Sequence, residues 1–188
     1  MPHMKTAMTL TAQDIEIAVA RHFGYRENLV VPNVANGWCL RHEADMIVLR
    51  PSGLCDEVEI KVTRSDIRAD AKKPYGHWEN RRVARVWFAV PDTLASCPEI
   101  PAAAGILSVM RVTPDLGVYG VLTWREWRPG DTHWRGRVTV VRPAKLRPKA
   151  DRMPVTDAQR LRLAELGAMR IWDLKLALAR SAQRRHEC

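Results

Sequence analysis

The sequence lacks the patterns that would place the chain in a membrane, in an oxidising compartment or around a structural zinc ion. No apolar run approaches the roughly 20 residues of a membrane-spanning helix. No secretory signal is recognisable, and no C-x-x-C pair occurs among the four cysteines, Cys39, Cys55, Cys97 and Cys188. We therefore expect reduced thiols in a cytoplasmic protein that has no zinc site.

Acidic residues are scarce in the last third of the chain. The net charge is +9, yet residues 1–134 hold sixteen basic and sixteen acidic side chains, whereas residues 135–188 hold fourteen basic and five acidic. A neutral body with a cationic end predicts a polyanionic partner held by phosphate contacts, and we favour nucleic acid. The alternative is a solvated basic helix that keeps the protein soluble.

The chain is expected to form one domain followed by a linker and a helix. Its 188 residues, 46% of them hydrophobic, can bury one core. We place the domain at residues 1–142, a proline-rich basic linker at 143–155 and a basic helix at 156–188, opened by Thr156 with Gln159 three residues on. The helix should pack on the core or on a second subunit, in a homodimer, through Leu161, Ala164, Ala168, Ile171 and Trp172.

Helix and strand signals follow one another in a regular order within the domain. Thr11 to Asp14 resembles a capping box that opens a helix ending at Gly24, with a buried stripe of Ile15, Ala18, Val19 and Phe23. A second helix begins after Thr63, with Ser65 as its N-cap. Strands are predicted over 29–34, 43–49, 57–63, 85–90, 105–109 and 117–123. The Trp-Arg pairs of residues 124–135 favour a hairpin over a surface that stacks on unpaired bases.

Two strands joined by a turn at residues 51–53 bring two acidic residues together. If the hairpin folds about its glycine, paired residue numbers sum to about 104 to 106, which puts Asp45 beside Glu59 with β-carbons about 5 Å apart. Both carboxylates can then reach one hard cation such as Mg²⁺, whose oxygen ligands lie at about 2.1 Å. Lys61 lies on the same face as Glu59, and Glu57, nearer the turn, is interpreted as a bystander.

This aspartate, followed on the next strand by Glu-x-Lys, resembles the PD-(D/E)XK nuclease superfamily. The run EIKVTRSDIRADAKK, followed by the strand VWFAV, is similar to the MmcB-type DNA-repair family of that superfamily. The sequence departs from that family at Lys73, where an aromatic residue is expected. The resemblance implies an α/β fold with an αβββαβ core and a mixed sheet extended by further strands. It also implies a metal-dependent deoxyribonuclease in DNA repair or phage DNA metabolism.

The resemblance implies roles for individual residues as well. Asp45, Glu59 and the backbone carbonyl of Ile60 would bind Mg²⁺ or Mn²⁺, while Lys61 would orient the attacking water. Glu16 on the first helix matches an acidic residue that points at the metal in many superfamily members. The alternative for Glu16 is a surface glutamate in the favourable first turns of a helix.

DNA contacts are predicted at two basic surfaces. Arg64, Arg68 and Lys72 recur every four residues and form a basic edge near the carboxylates, unless ion pairs with Asp66 and Asp70 occupy them. The end of the last helix contributes Arg180, Arg184 and Arg185. The six histidines show no metal-ligand spacing, so the sequence assigns them no catalytic role.

Two further classes of function stay open. A non-catalytic nucleic-acid-binding module could share the nuclease fold, although the presence of Asp45, Glu59 and Lys61 together argues against it. A structural protein of a phage particle would bind no divalent metal.

Overall fold

The computed structural model describes residues 10–35, 38–71, 76–112 and 135–186, with side chains in the last range described from 136 to 180. The described residues form three helices and six strands. In chain order these are α1 (Ala12–His22), β1 (Leu29–Val34), β2 (Ala44–Leu49), β3 (Cys55–Ile60), α2 (Arg64–Asp70), β4 (Val83–Pro91), β5 (Gly105–Val112), β6 (Arg135–Arg142) and α3 (Asp157–His186).

The six strands form one mixed sheet whose order is the order of the sequence, β1 to β6. β1, β2 and β3 pair antiparallel, β3, β4 and β5 pair parallel, and β6 returns antiparallel to β5. The α/β class and the predicted succession of helix, three strands, helix and strand are confirmed. β3 ends at Ile60 rather than Thr63, because the backbone turns there into the cap of α2.

Helix α1 covers one face of the sheet. Thr11 caps it as predicted, since its hydroxyl accepts the Asp14 N–H while the Asp14 carboxylate accepts the Thr11 N–H. The predicted stripe is confirmed, because all four of its residues are buried against apolar side chains of β2 to β5. The buried charge on this face is Asp56, which pairs with Arg50 and Arg85, and the polar site described below lies on the other face.

The other face of the sheet is covered by α2 and by the first turns of α3. Ile67 of α2 and Leu163 of α3 are buried there together with Phe88 of the central strand β4. Trp38 Nε1 donates to the Gln159 carbonyl oxygen at 2.9 Å, which joins the loop before β2 to α3. The sheet is therefore the middle of three layers, and α2 ends beside the polar end of β3.

The predicted stripe of α3 does not pack on the core. Leu161 and Trp172 are each 63% exposed, and Ile171 is 56% exposed. The helix contacts the sheet through Leu163 and Gly167 instead, where a β-carbon on the glycine would lie 3.3 Å from a methyl group of Val31. The stripe therefore does not pack on the core, and its packing on a second subunit stays a prediction.

The proline-rich segment before α3 contains one turn of 3-10 helix at Lys149–Asp151, and it is hydrogen-bonded to the domain. The Arg147 N–H donates to the Ala84 carbonyl and the Met153 N–H to the Arg81 carbonyl, both at 2.9 Å. The Arg142 side chain donates to the carbonyls of Ala104 and Pro101. Several basic residues counted in the cationic end are therefore structural.

Some predicted features lie outside the described residues. They are the strand over 117–123, the Trp-Arg hairpin and Lys72. Among the helices that the structure describes, none combines the length and the apolar character needed to cross a bilayer.

Candidate metal centre

The hairpin of β2 and β3 brings the three motif residues together. Gly53 adopts a φ of +83° in the turn, which favours glycine, and the strands pair Met46 with Val58 and Ile47 with Glu57. These pairs sum to 104, the lower end of the predicted range. The Asp45 Oδ2 atom accepts the Ile60 N–H at 2.7 Å, so the aspartate lies against the segment that carries the other two residues.

Lys61 lies among three carboxylates. Its Nζ atom is 3.3 Å from Asp45 Oδ2, contacts Glu59 Oε2 and is 3.2 Å from Asp70 Oδ1. Glu59 is fully buried and Lys61 nearly so, whereas the Asp45 side chain is 36% exposed. Asp45, Glu59, Lys61 and Asp70 thus form an acidic cluster, called the cleft below, in which the Asp45 side chain is partly exposed and the Lys61 ammonium is buried.

Burial and the neighbouring charges act in opposite directions on the pKa of Lys61, whereas burial and the Asp45 charge both raise the pKa of Glu59. Burial and the neighbouring Asp45 charge raise the pKa of Glu59 to about 7, against the opposing effects of Lys61 and His77. Burial lowers the pKa of Lys61, but attraction to Glu59 and Asp45 outweighs it, and the net shift is upward. Lys61 is therefore held as an ammonium, and the two acids compete for it at neutral pH.

Asp70 reaches the cleft because α2 starts immediately after β3. The N-cap is Thr63 rather than the predicted Ser65, and Thr63 forms a capping box with Asp66. The strand ends three residues earlier than predicted, so the helix also begins earlier. Its last residue, Asp70, is then buried over the sheet face that carries Glu59.

A group of buried residues that the sequence did not indicate adjoins the cleft. Glu57 is fully buried rather than a bystander, and its Oε1 lies 2.8 Å from His42 Nε2 and 2.6 Å from His77 Nδ1. His77 Nδ1 is 3.9 Å from Glu59 Oε1. One ligand atom from each of the four residues lies within 4.8 Å of the others, so the group could hold a metal ion.

His77 is positioned by carboxylates on both sides of its ring. Its Nε2 lies 2.7 Å from Asp70 Oδ2, opposite the contact with Glu57. Burial lowers the pKa of His77, but the hydrogen bonds to Asp70 and Glu57 more than compensate and raise it to about 10. Burial acts to raise the pKa of Glu57, and its bonds to the two histidines produce a net lowering. Both ring nitrogens of His77 thus face carboxylates, and the raised pKa favours the protonated ring while no metal ion is bound.

The histidines could not be found from spacing, because they come from separate loops. His42 precedes β2 and His77 follows α2, so neither belongs to a periodic pattern. The one sequence signal was Glu57, which is two residues from Glu59 and therefore on the same face of β3.

Glu16 lies close enough to the cleft for its charge to interact with Asp45. It is half-buried on α1, and its pKa is raised by burial and by the Asp45 charge, with an opposing hydrogen bond from the Asn33 side chain. Its assignment to the metal site stays a prediction.

The predicted basic edge is occupied by an acid that the sequence did not suggest. Arg64 Nε and Arg68 Nε both lie 2.9 Å from Glu99 Oε1, so the partner is Glu99 rather than Asp66 or Asp70. The hydrogen bonds from Arg64 and Arg68 lower the pKa of Glu99 to about 2. At the other predicted DNA surface Arg180 is exposed, while the side chains of Arg184 and Arg185 lie outside the described part of the chain.

Comparison with known proteins supports the fold and leaves the activity open. No family model and no curated protein matches this chain. A solved structure of SPO1766, a protein of unknown function from Silicibacter pomeroyi, is similar over 92% of this chain and 94% of its own, with a TM-score of 0.54 and 21% identity. The chain therefore has an α/β fold, a six-stranded mixed sheet with three helices, that resembles the structure of SPO1766.

Proposed function

We propose that this protein is a Mg²⁺- or Mn²⁺-dependent deoxyribonuclease that hydrolyses phosphodiester bonds of DNA. One observation carries the proposal: Asp45, Glu59 and Lys61 meet at a single cleft in which the Asp45 side chain is partly exposed. The proposal includes membership of the PD-(D/E)XK superfamily, with the MmcB-type family as the branch and DNA repair or phage DNA metabolism as the setting. It is supported by the spacing of these residues and by the αβββαβ order.

The oxygen atoms at the cleft fit a hard divalent cation. Carboxylates of Asp45 and Glu59 would bind it together with the carbonyl of Ile60, which lies on the Asp45 side because a strand residue directs its N–H and C=O to the same neighbour. The ion would supply a Lewis acid that lowers the pKa of a bound water. A divalent charge also fits the raised pKa of Glu59, which results from burial and then from repulsion by the Asp45 charge.

Lys61 and Glu16 would act on the reacting groups from the protein side. The Lys61 ammonium, fixed by contacts to three carboxylates, would orient the attacking water and offset charge that develops on the scissile phosphate. Glu16 would approach the metal ion from α1, on the side of the cleft where Asp45 lies. Burial of Glu59 and Lys61 keeps bulk water from screening these charges.

A non-catalytic nucleic-acid-binding module is the second candidate, and one observation favours it. Lys61 is held by three carboxylates, an ion-pair network that is complete without a metal ion. Such a network can be purely structural, and the basic surfaces alone would then carry the function.

Cleavage of labelled DNA decides between the two candidates. Duplex, single-stranded, branched and nicked DNA would be incubated with the full chain and Mg²⁺, Mn²⁺ or chelator. Metal-dependent cleavage of at least one form, suppressed by chelator, is the expected result. Binding of DNA without cleavage of any form would favour the module instead.

Removing Glu99 is expected to strengthen DNA binding. Glu99→Gln frees Arg64 and Arg68, which are about half exposed, to contact phosphate. Each new contact should steepen the fall of log affinity with log salt by about 0.9 for duplex DNA. Fluorescence anisotropy over a salt series measures the slope.

A matched variant separates this effect from net charge. Glu27→Gln removes the same charge from an exposed position after α1, and it should change the salt slope little. An equal response of the two variants would show that Arg64 and Arg68 make no DNA contact.

A further inference from the structure

We propose that His42, Glu57 and His77 form a second metal site, selective for a first-row transition ion of the Zn²⁺ class and distinct from the proposed Mg²⁺ site at Asp45. The inference goes beyond the proposed nuclease activity, because the site would bind its ion whether or not DNA is cleaved. It rests on the donor atoms, on the second hydrogen-bonding partner of His77 and on a buried carboxylate oxygen of Glu57.

The donor set distinguishes this site from the cleft beside it. Two imidazole nitrogens and a carboxylate suit Zn²⁺, Co²⁺ or Fe²⁺, whereas Mg²⁺ prefers oxygen alone. The Glu57 Oε1 atom lies 2.8 Å from His42 Nε2 and 2.6 Å from His77 Nδ1. Ligands at about 2.0–2.1 Å from a tetrahedral ion are about 3.3 Å apart, so these two contacts need to lengthen by about 0.5 to 0.7 Å.

His77 already has the partner that a metal-binding histidine requires. Metal-bound histidines usually donate the second ring N–H to a carboxylate, which fixes the ring and raises its basicity. Asp70 Oδ2 lies 2.7 Å from His77 Nε2 and occupies that position, while Nδ1 faces Glu57. Asp70 is thus a positioning residue, and His77 would coordinate through Nδ1.

Glu57 offers a second, unused oxygen. Its Oε2 is buried and has no hydrogen-bond partner among the residues that the structure describes. Leaving such an atom unsatisfied is costly, and an ion that draws on both carboxylate oxygens would remove that cost. A carboxylate buried beside two histidines therefore fits a ligand better than it fits a packing residue.

The site also has an entrance and a fourth donor. A surface cavity whose lining includes His42, Glu79 and Asn80, together with Arg41, Arg81 and Arg82, adjoins the cluster, and His42 is the most exposed residue of the cluster. On the inner side Glu59 Oε1 is 3.9 Å from His77 Nδ1, while Oε2 contacts Lys61 in the cleft. Glu59 lies between the two sites and could contribute one oxygen to each.

Cobalt binding tests the site directly. The metal-free full chain would be titrated with Co²⁺ alone, and visible absorption would report a four- or five-coordinate ion with nitrogen ligands. One equivalent is expected, with affinity reduced at least 100-fold in His42→Gln and Glu57→Gln, and about 10- to 100-fold in Asp70→Asn. Zn²⁺ should displace the Co²⁺ and abolish the bands.

Controls distinguish this site from the cleft. Asp45→Asn, which removes a proposed Mg²⁺ ligand, and His22→Gln, which alters a histidine outside the cluster, should both keep the Co²⁺ bands. Retention of the bands in Asp45→Asn would support the second site even if the parent chain cleaves no form of DNA. Absence of the bands in the parent chain, or equal bands in Glu57→Gln, would overturn the proposal.

If the variants do not fold, the parent chain still gives an answer. X-ray absorption at the cobalt edge distinguishes imidazole from oxygen neighbours. Two imidazoles per ion would support the site, and a shell of oxygen alone would overturn it.

Discussion

Asp45→Asn is expected to reduce Mg²⁺-dependent DNA cleavage by at least about 100-fold in single-turnover assays, together with Mg²⁺ affinity. The substitution removes one of the two carboxylates proposed to share the ion, yet it keeps an oxygen that can accept the Ile60 N–H. In chelator the melting temperature should stay the same or rise, since the Asp45 charge raises the pKa of Glu59 and its loss relieves that repulsion.

Lys61→Gln separates the two roles within the same cleft. This variant should reduce the rate of DNA cleavage by a factor similar to that of Asp45→Asn, while Mg²⁺ still binds, because the lysine acts on water and phosphate. Glu43→Gln, an exposed acid two residues from Asp45, serves as the matched control and should cleave like the parent. If Asp45→Asn cleaves at the parental rate, the active site is elsewhere.

His77→Gln is expected to lower the free energy of unfolding by about 3 kcal/mol in chelator at pH 6, because it leaves the carboxylates of Glu57 and Asp70 buried without their shared cation. For a chain of this size that corresponds to a fall in melting temperature of about 10 °C. Thermal unfolding followed by circular dichroism measures it. His22→Gln alters an exposed histidine at the end of α1 and should change stability by less than about 0.5 kcal/mol.

The difference in stability between the parent protein and His77→Gln should depend on pH in a defined direction. Burial opposes the charge on His77, but hydrogen bonds to Asp70 and Glu57 raise its pKa from 6.5 to about 10. A group whose pKa is higher in the folded state stabilises fully below its unfolded value and loses that contribution as pH rises through the folded value. The stability difference between parent and His77→Gln should therefore shrink from pH 6.5 towards pH 10. A difference that grows over that range would contradict the assignment.

Local chemistry made much of the fold predictable. The φ of +83° at Gly53 fixes the turn, and the turn fixes the register that puts Asp45 beside Glu59. The capping box at Thr11 and the buried stripe of α1 depend on residues at most a few positions apart. Interactions within one hairpin or one helix are specified by spacing, and spacing is what a sequence displays directly.

The histidine cluster and the packing of α3 depend on contacts between distant segments. His42 and His77 meet only because two loops converge over Glu57 on β3. Helix α3 has exposed apolar residues outside the face that contacts β1, so periodicity did not identify that face; there Gly167 lies close to Val31. The acidic partner of Arg64 and Arg68 was also missed, because Glu99 is more than thirty residues away in sequence.

The order of the strands has a consequence for how the protein folds. Because β1 to β6 pair in the order in which they occur in the sequence, each strand can add to the edge left by the previous one, and no strand has to insert between two that are already paired. The slowest closures should be the pairings of β3 with β4 and of β5 with β6, since these two bridge the longest stretches of chain between neighbouring strands. Lys61 N–H donates to the Ala89 carbonyl of β4, so the cleft is completed only after the first of these closures. A chain that has formed only the β1–β2–β3 meander would hold Asp45 and Glu59 together but would lack the strand that fixes Lys61.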